Sequence, residues 1–277
     1  MQITLNLTLP GELKTVVAEK VQISVVFLRY EGDWNQGKCS VKKTFVGILV
    51  CALWIFNSAA HAEDERPAHV LFFAGLDGSS LHSYAGFAGA IVAPDGLDNS
   101  GLRFGLFAAG GSYRYDNGIT TFNGRFTAGD ALIGYGFNWN ALAVKVMAGV
   151  NVQTQDVTPV DIANPVQGMA TGAKAQVDVY ATPTENTMFF ALGSYSTAYR
   201  TYYSEGKVGY AAFGVKELYI GPHVSALGNE RFDQWRVGAH LSGIPVSVLR
   251  FNVAGGYLND NSSGPGYYGV LTMLGQF

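Results

Sequence analysis

Charged residues and cysteines are scarce in this chain. Only 14% of its residues are Asp, Glu, Lys or Arg, whereas about 25% are charged in a typical soluble domain. The formal net charge of -3 provides no basic surface for nucleic acid, so we expect no nucleic-acid partner. Cys39 and Cys51 both precede the exported part predicted below, which excludes disulfides and thiol chemistry there.

Long apolar runs are also missing. The longest, from Thr44 to Phe56, has about 13 residues, whereas a membrane-spanning helix needs about 18 or more. Glycine and aromatic residues are abundant instead, with 35 Gly, 17 Phe and 15 Tyr. In short segments these residues are typical of strands, turns and the aromatic girdles of membrane barrels.

The stretch from Ala141 to Gln153 shows the clearest strand pattern. Its even positions are all apolar, whereas Lys145, Asn151 and Gln153 occupy odd positions. Successive side chains of a strand point to opposite faces, so this segment predicts one lipid-facing side and one lumen-facing side. We expect Lys145 to find its partner in Asp130 or Asp178 on the neighbouring strands.

The N-terminal part has the pattern of an export signal. Lys42 and Lys43 precede the apolar stretch, and Ala60-His-Ala62 follows as a small-residue cleavage site. A membrane anchor would need a longer apolar stretch, and a lipoprotein site at Cys51 fits poorly after the large Val50. The predicted organisation is a mis-called extension over residues 1–41, a signal peptide over 42–62 and a barrel over 63–277. In this interpretation Val41 is the true initiator.

About twelve strand-like segments follow the signal. Turns rich in Gly, Pro and Asn separate them, and short turns alternate with longer polar loops, the longest at residues 156–171. The sequence therefore predicts an all-β fold, a transmembrane antiparallel up-and-down β-barrel in the outer membrane, with both termini on the periplasmic side. The alternative is a soluble β-sandwich, which predicts shorter strands.

Three stretches resemble a known family. Phe73 to Asp77, Gly110 to Tyr115 and, above all, Gly209 to Gly243 are similar to the cellulose biosynthesis protein BcsS of alphaproteobacteria. The resemblance covers residues 68–277. It implies an exported barrel that accompanies a cellulose synthase system, and it brings no catalytic residues with it.

A polar set is predicted to line the lumen. One interpretation is a channel that selects a solute, and the other is a filled lumen in which Lys and Arg pair with Asp and Glu. The set comprises Asp130, Lys145, Asn151, Lys174, Asp178, Glu205, Lys207, His223, Arg236 and His240.

Several tyrosines are candidate glycan contacts, because aromatic rings stack on sugar rings. The alternative for each is a place in the girdle or in packing. The candidates are Tyr113, Tyr115, Tyr180, Tyr203 and Tyr219.

His223 and Ser225 lie two residues apart, as a base and a hydroxyl nucleophile would on one strand face. The pair resembles the His–Ser pair of lipid deacylases among outer-membrane barrels, but two residues are a small match. We expect no catalytic residues, no cofactor and no metal.

The predicted function is a non-enzymatic outer-membrane barrel accessory to cellulose or other exopolysaccharide secretion. Its expected partners are outer-membrane lipid, a glucan and secretion-system proteins. The alternatives are a general small porin or structural barrel without glycan specificity, and a lipid-modifying barrel enzyme.

Overall fold

The computed structural model describes residues 67–215 and 217–277, which form twelve antiparallel strands and one short 3-10 turn, Ala198–Arg200. The predicted extension and signal peptide lie outside these residues. The strands are β1 (Val70–Ser79), β2 (Ser83–Val92), β3 (Gly101–Asp116), β4 (Thr121–Trp139), β5 (Leu142–Thr158), β6 (Gly168–Thr184), β7 (Thr187–Ser196), β8 (Tyr202–Ala211), β9 (Tyr219–Gly228), β10 (Asp233–Val246), β11 (Leu249–Asp260) and β12 (Gly264–Gln276).

Each strand pairs with the next, and β1 closes the sheet on β12. The closing register runs from Leu71 opposite Gln276 to Ser79 opposite Tyr268. Closure pairs the backbone groups that an open sheet would leave free at its edges. The predicted up-and-down barrel of about twelve strands is thus confirmed.

The barrel wall is taller on one side. Strands β3 to β6 have 16 to 19 residues, whereas the other eight have 10 to 14. At the end away from the chain termini, which we call the distal end, residues 113–116 of β3 extend beyond β2, and residues 168–173 of β6 extend beyond β7. The β7–β8 connection folds against this extension, since the Thr197 amide donates to the Ala173 carbonyl at 2.9 Å.

The connections differ from the predicted alternation of short turns and long loops. The polar loop expected over residues 156–171 is shorter, because β5 continues to Thr158 and β6 already begins at Gly168. At the terminal end, two connections are long, residues 93–100 and 212–218. The first folds against the barrel because the Arg103 guanidinium donates to the Leu97 and Asn99 carbonyls.

A second difference concerns the turn predicted at Gly243 to Pro245. These residues belong to β10, where the pairing with β11 shifts between Leu241 and Ile244. The chain reverses at residues 247–248 instead. A glycine and a proline inside a strand can therefore mark a bulge rather than a turn.

The outer face of the barrel is apolar. On β5, Leu142, Val146, Val150 and Val152 are all exposed, and they belong to an even-numbered face that stays apolar from residue 142 to 152. Ten residue steps span about 33 Å, or about 25 Å along the axis for a strand tilted by about 40°. This matches the apolar band of about 25 Å on outer-membrane barrels.

Outward aromatic residues border this band at both ends. On β4, Tyr135, Phe137 and Trp139 form an outward row that runs to the terminal end at Trp139, with ring centroids 4.8 and 5.7 Å apart. At the distal end, the Tyr257 ring contacts both Trp235 and Tyr267, at 5.7 and 6.5 Å. Two belts of this kind are typical of the girdles that anchor membrane barrels at the two interfaces.

Among the residues that the structure describes, no helix has the length and the apolar character that crossing a membrane requires.

Candidate functional site

The lumen gathers the polar side chains of the sheet. All ten residues of the predicted lumen set occupy inward positions, and five of them are among the buried residues. These five are Asp130, Asn151, His223, Arg236 and His240. Among the described residues, no buried side-chain nitrogen or oxygen lacks a hydrogen-bond partner. The lumen is therefore a satisfied polar network, as burial of polar groups requires.

One network is centred on Asp130 of β4. Its carboxylate accepts from Lys174 Nζ and from Asn151 Nδ2, each at 2.5 Å. Asn151 Oδ1 in turn accepts from Ser196 Oγ at 2.8 Å and from Gln153 Nε2 at 2.7 Å. Four strands, β4 to β7, are thus connected from inside.

Lys145 pairs with only one of its two predicted partners. Its Nζ lies 2.8 Å from Asp178 Oδ2, directly across the β5–β6 ladder. Asp130 binds Lys174 instead. Asp178 also accepts from Gln176 Nε2 at 3.0 Å, which fixes the carboxylate on the wall.

A second network surrounds His223 of β9, whose side chain is almost fully buried. Nδ1 of His223 lies 2.6 Å from the Tyr268 hydroxyl, and Nε2 lies 2.9 Å from Glu205 Oε1. The same carboxylate oxygen of Glu205 is 2.7 Å from Lys207 Nζ. Both ring nitrogens are hydrogen-bonded, one to Tyr268 and the other to Glu205. The imidazole therefore has no free nitrogen to accept a proton from Ser225. The two residues share an inward face, but they do not form a base–nucleophile pair here.

Arg236 and His240 lie on the inner face of β10. We call these two, together with Glu205, Lys207, His223 and Tyr268, the polar wall. Nη1 of Arg236 lies 2.6 Å from Asp77 Oδ2, and its guanidinium stacks on the Tyr268 ring with 5.1 Å between Cζ and the ring centroid. His240 is 2.9 Å from Ser242 Oγ and 3.1 Å from the Val208 carbonyl oxygen. These contacts immobilise both side chains.

The five candidate tyrosines do not gather in one place. Tyr113 and Tyr115 lie together on the inner face of the distal extension, with ring centroids 6.2 Å apart. The Tyr115 hydroxyl donates to Asp161 Oδ2 at 2.8 Å. Tyr203 lies two residues from Glu205 on the inner face of β8, whereas Tyr180 and Tyr219 lie near the terminal end. Among the five, only Tyr113 and Tyr115 have rings in contact with each other.

Several inward aromatic rings were missed by the sequence reasoning, among them Phe73, Phe87, Phe107 and Phe126 on β1 to β4. Phe73, Phe87 and Phe107 form a group in which Phe107 contacts both others, at 6.2 and 6.3 Å. Phe126 lies on β4 nearer the distal end. We call these four, together with Tyr113 and Tyr115, the aromatic strip.

Four rings of the aromatic strip cover glycines on the neighbouring strand. Phe73 lies opposite Gly89 and Phe87 opposite Gly75 in the β1–β2 ladder. The β3–β4 ladder repeats the arrangement, with Tyr113 opposite Gly124 and Phe126 opposite Gly111. A Cβ at any of these glycines would overlap the opposing ring. The rings therefore lie flat on the wall. On each of these strands a glycine and an aromatic residue are two positions apart, and this spacing is the sequence signal that could have predicted the arrangement.

The described residues contain no group of three or more His, Cys, Asp or Glu side chains that could hold a metal ion. What the arrangement offers is an amphipathic interior, with ring faces along β1 to β4 and fixed hydrogen-bonding groups along β8 to β12.

Comparison with solved structures finds other barrels at low similarity. The KdgM porin is 10% identical, with a TM-score of 0.40 and coverage of 75% of this chain and 99% of that chain. A deletion mutant of the monoaromatic hydrocarbon channel TodX has 10% identity, a TM-score of 0.45 and coverage of 76% and 91%. The transport unit of the autotransporter AIDA-I from Escherichia coli is 10% identical, with a TM-score of 0.38 and coverage of 81% of this chain and 97% of that chain.

A search of curated proteins gave no sequence match. A family model does match, and it is described as cellulose biosynthesis protein BcsS and covers residues 71–277. The match therefore spans the closed barrel from β1 to the last residue. The chain belongs to the family of the cellulose biosynthesis protein BcsS.

Proposed function

We propose that this chain is an outer-membrane barrel that assists cellulose biosynthesis or secretion without catalysing a reaction. The observation that carries the proposal is that the family match, residues 71–277, covers the barrel itself. The residues that act in cellulose production would then belong to the barrel strands and their connecting loops. The apolar band and its two aromatic girdles support the outer-membrane location.

The non-enzymatic role is supported by the state of the titratable groups. Four of the lumen cations, Lys145, Lys174, Lys207 and Arg236, are each paired with a carboxylate. His223 has both nitrogens occupied. A nucleophile needs a base with a free acceptor in reach, and Ser225 has none in His223.

The proposal is tested in the source organism. Deleting the gene is expected to lower extracellular cellulose, measured by dye binding and by glucose release with cellulase, and the full chain restores it. Membrane fractionation is expected to place the protein with outer-membrane markers. Normal cellulose in the deletion strain would remove the cellulose role, and recovery of the protein in the soluble fraction would remove the membrane location.

The runner-up, a small porin without glycan specificity, differs in its conductance. A general porin passes ions and small sugars without preference, so its planar-bilayer current would be insensitive to soluble glucans. A deletion strain would then keep its cellulose and lose permeability to small solutes instead.

A further inference from the structure

We propose that the lumen binds a single neutral β-glucan chain, whose sugar faces stack on the aromatic strip and whose hydroxyl edges meet the polar wall. This inference rests on the proposed function and names the ligand of the same barrel. It depends on three observations: flat rings along β1 to β4, a polar wall opposite them, and a balance of charge between them.

The flat rings supply stacking surfaces. Phe73 and Phe87 each rest one ring face on a glycine backbone, which leaves the other face toward the lumen. Both side chains keep partial exposure. The sugar rings of a β-linked glucan carry their C–H bonds on the two faces, and these bonds match the negative face of an aromatic ring. Phe107 differs, because Lys174 Nζ lies over its ring, 5.3 Å from the ring centroid. The flat rings of Phe73 and Phe87 therefore suit a ribbon of sugar rings that stacks on them.

The strip is also extended along the barrel axis. From Phe107 to Tyr115, β3 advances eight residues, or about 26 Å along the strand and about 20 Å along the axis at a tilt of about 40°. Phe126 covers Gly111 between these two positions. The strip continues into the tall extension at the distal end, where Tyr113 and Tyr115 lie. This length accommodates several sugar units, as a polymer needs and a monosaccharide does not.

The opposite wall provides hydrogen-bonding groups. Glu205 and Lys207 of this wall keep 13% and 12% of their side-chain surface exposed while they are ion-paired. Arg236 of the same wall pairs with Asp77 of β1, which keeps 24% exposed. Hydroxyl groups can both donate and accept, so they fit a wall that carries carboxylates and ammonium groups side by side.

The charge balance selects a neutral ligand. The inward positions of the described strands hold as many cations as carboxylates if Arg250 is left out, because this rim residue of β11 pairs with Glu217 of the β8–β9 connection. The cations are Arg103, Lys145, Lys174, Lys207 and Arg236, and the carboxylates are Asp77, Asp130, Asp178, Glu205 and Asp260. An interior with no net charge gives no attraction to an acidic polysaccharide. It leaves stacking and hydrogen bonds as the basis of recognition.

The test measures binding of cellohexaose to the purified full chain in detergent by titration calorimetry. The wild type is expected to bind cellohexaose, and the anionic hexagalacturonate of equal length to bind at least about tenfold more weakly. Phe87→Ala is expected to weaken cellohexaose binding about tenfold, because it removes one stacking face. The matched control is Phe104→Ala, which removes an outward phenylalanine that is 43% exposed and leaves the affinity unchanged.

Two further variants separate stacking from volume. Phe87→Tyr keeps the ring and is expected to keep the affinity, whereas Phe87→Leu fills the space without a ring and is expected to lose it. Heat-dependent mobility in electrophoresis verifies that each variant is folded. No cellohexaose binding by the folded wild type, equal binding of hexagalacturonate, or equal affinity of Phe87→Leu and Phe87→Tyr would overturn the inference.

The two proposals fail in different ways. If the deletion strain loses cellulose while the folded wild type binds no cellohexaose, the lumen inference is wrong and the proposed function stands. If the deletion strain keeps its cellulose, the proposed function is wrong whatever the calorimetry shows.

Discussion

Arg236 of β10 donates a hydrogen bond to Asp77 of β1 over 2.6 Å, although β11 and β12 separate the two strands. The pair lies inside the barrel, where the Arg236 side chain is 5% exposed and the Asp77 side chain 24%. It connects the first strand to the late part of the chain across the point of closure. An arginine that loses its carboxylate in such a place is an uncompensated charge.

We therefore expect Asp77→Asn to lower the free energy of unfolding by about 1–3 kcal/mol, less than for a fully buried pair because Asp77 retains contact with water. Urea unfolding of the protein in lipid vesicles, followed by tryptophan fluorescence, measures the change. The matched control is Arg250→Gln at the exposed rim pair with Glu217, for which about 0–1 kcal/mol is expected. Equal effects of the two variants would contradict the structural role of the Arg236–Asp77 pair.

Residue alternation could predict which side of the wall each polar residue faces, because that parity is local. The partners could not be predicted with equal success. Lys145 meets Asp178 because the two are opposite in the β5–β6 register, while Asp130 lies opposite Asn151 and is reached diagonally by Lys174. The Arg236–Asp77 contact joins residues 159 positions apart and depends on how the barrel closes, which the sequence pattern does not specify.

The interlocked rings and glycines give a second prediction. Gly89→Ala places a methyl group where the Phe73 ring lies and 2.8 Å from the Leu106 carbonyl oxygen. Because the backbone oxygen cannot move away as a flexible side chain can, we expect a loss of about 1–3 kcal/mol of unfolding free energy. Gly193→Ala is the control, since its new Cβ has no heavy atom within 4 Å. A neutral Gly89→Ala variant would show that the ring does not occupy this position.

Substitutions at His223 and Ser225 test whether this part of the lumen has a structural or a catalytic role. His223→Ala leaves Glu205 and Tyr268 without their shared partner, so we expect about 1–3 kcal/mol of destabilisation. Ser225→Ala is expected to leave lipid A unchanged in mass spectra of the outer membrane, and to leave cellulose production unchanged. Lipid A that gains acyl chains in the Ser225→Ala strain, with the protein still folded, would favour the lipid-modifying enzyme instead.

The exported form gives a prediction about the N-terminal residues, which lie outside the part of the chain that the structure describes. Cleavage after Ala62 is expected to leave Glu63 as the first residue of the mature protein. N-terminal sequencing of the protein from outer membranes tests this, and the mass of the unprocessed precursor tests whether translation starts at Val41. A precursor that begins at Met1 would remove the mis-called start.

The lipid-facing side of β5 gives the sharpest test of membrane insertion. Val146 lies near the middle of the apolar band and is 45% exposed, so an arginine there would sit in hydrocarbon. We expect Val146→Arg to cost about 2–4 kcal/mol of folding free energy in bilayers, because charged side chains are most costly at the midplane. Thr154→Arg, on the same face but beyond the apolar band, is expected to cost only about 0–1 kcal/mol, since the guanidinium reaches the interface. In a water-soluble barrel both arginines would be solvated and the two variants equally stable, so the depth dependence itself distinguishes a membrane barrel from a soluble one.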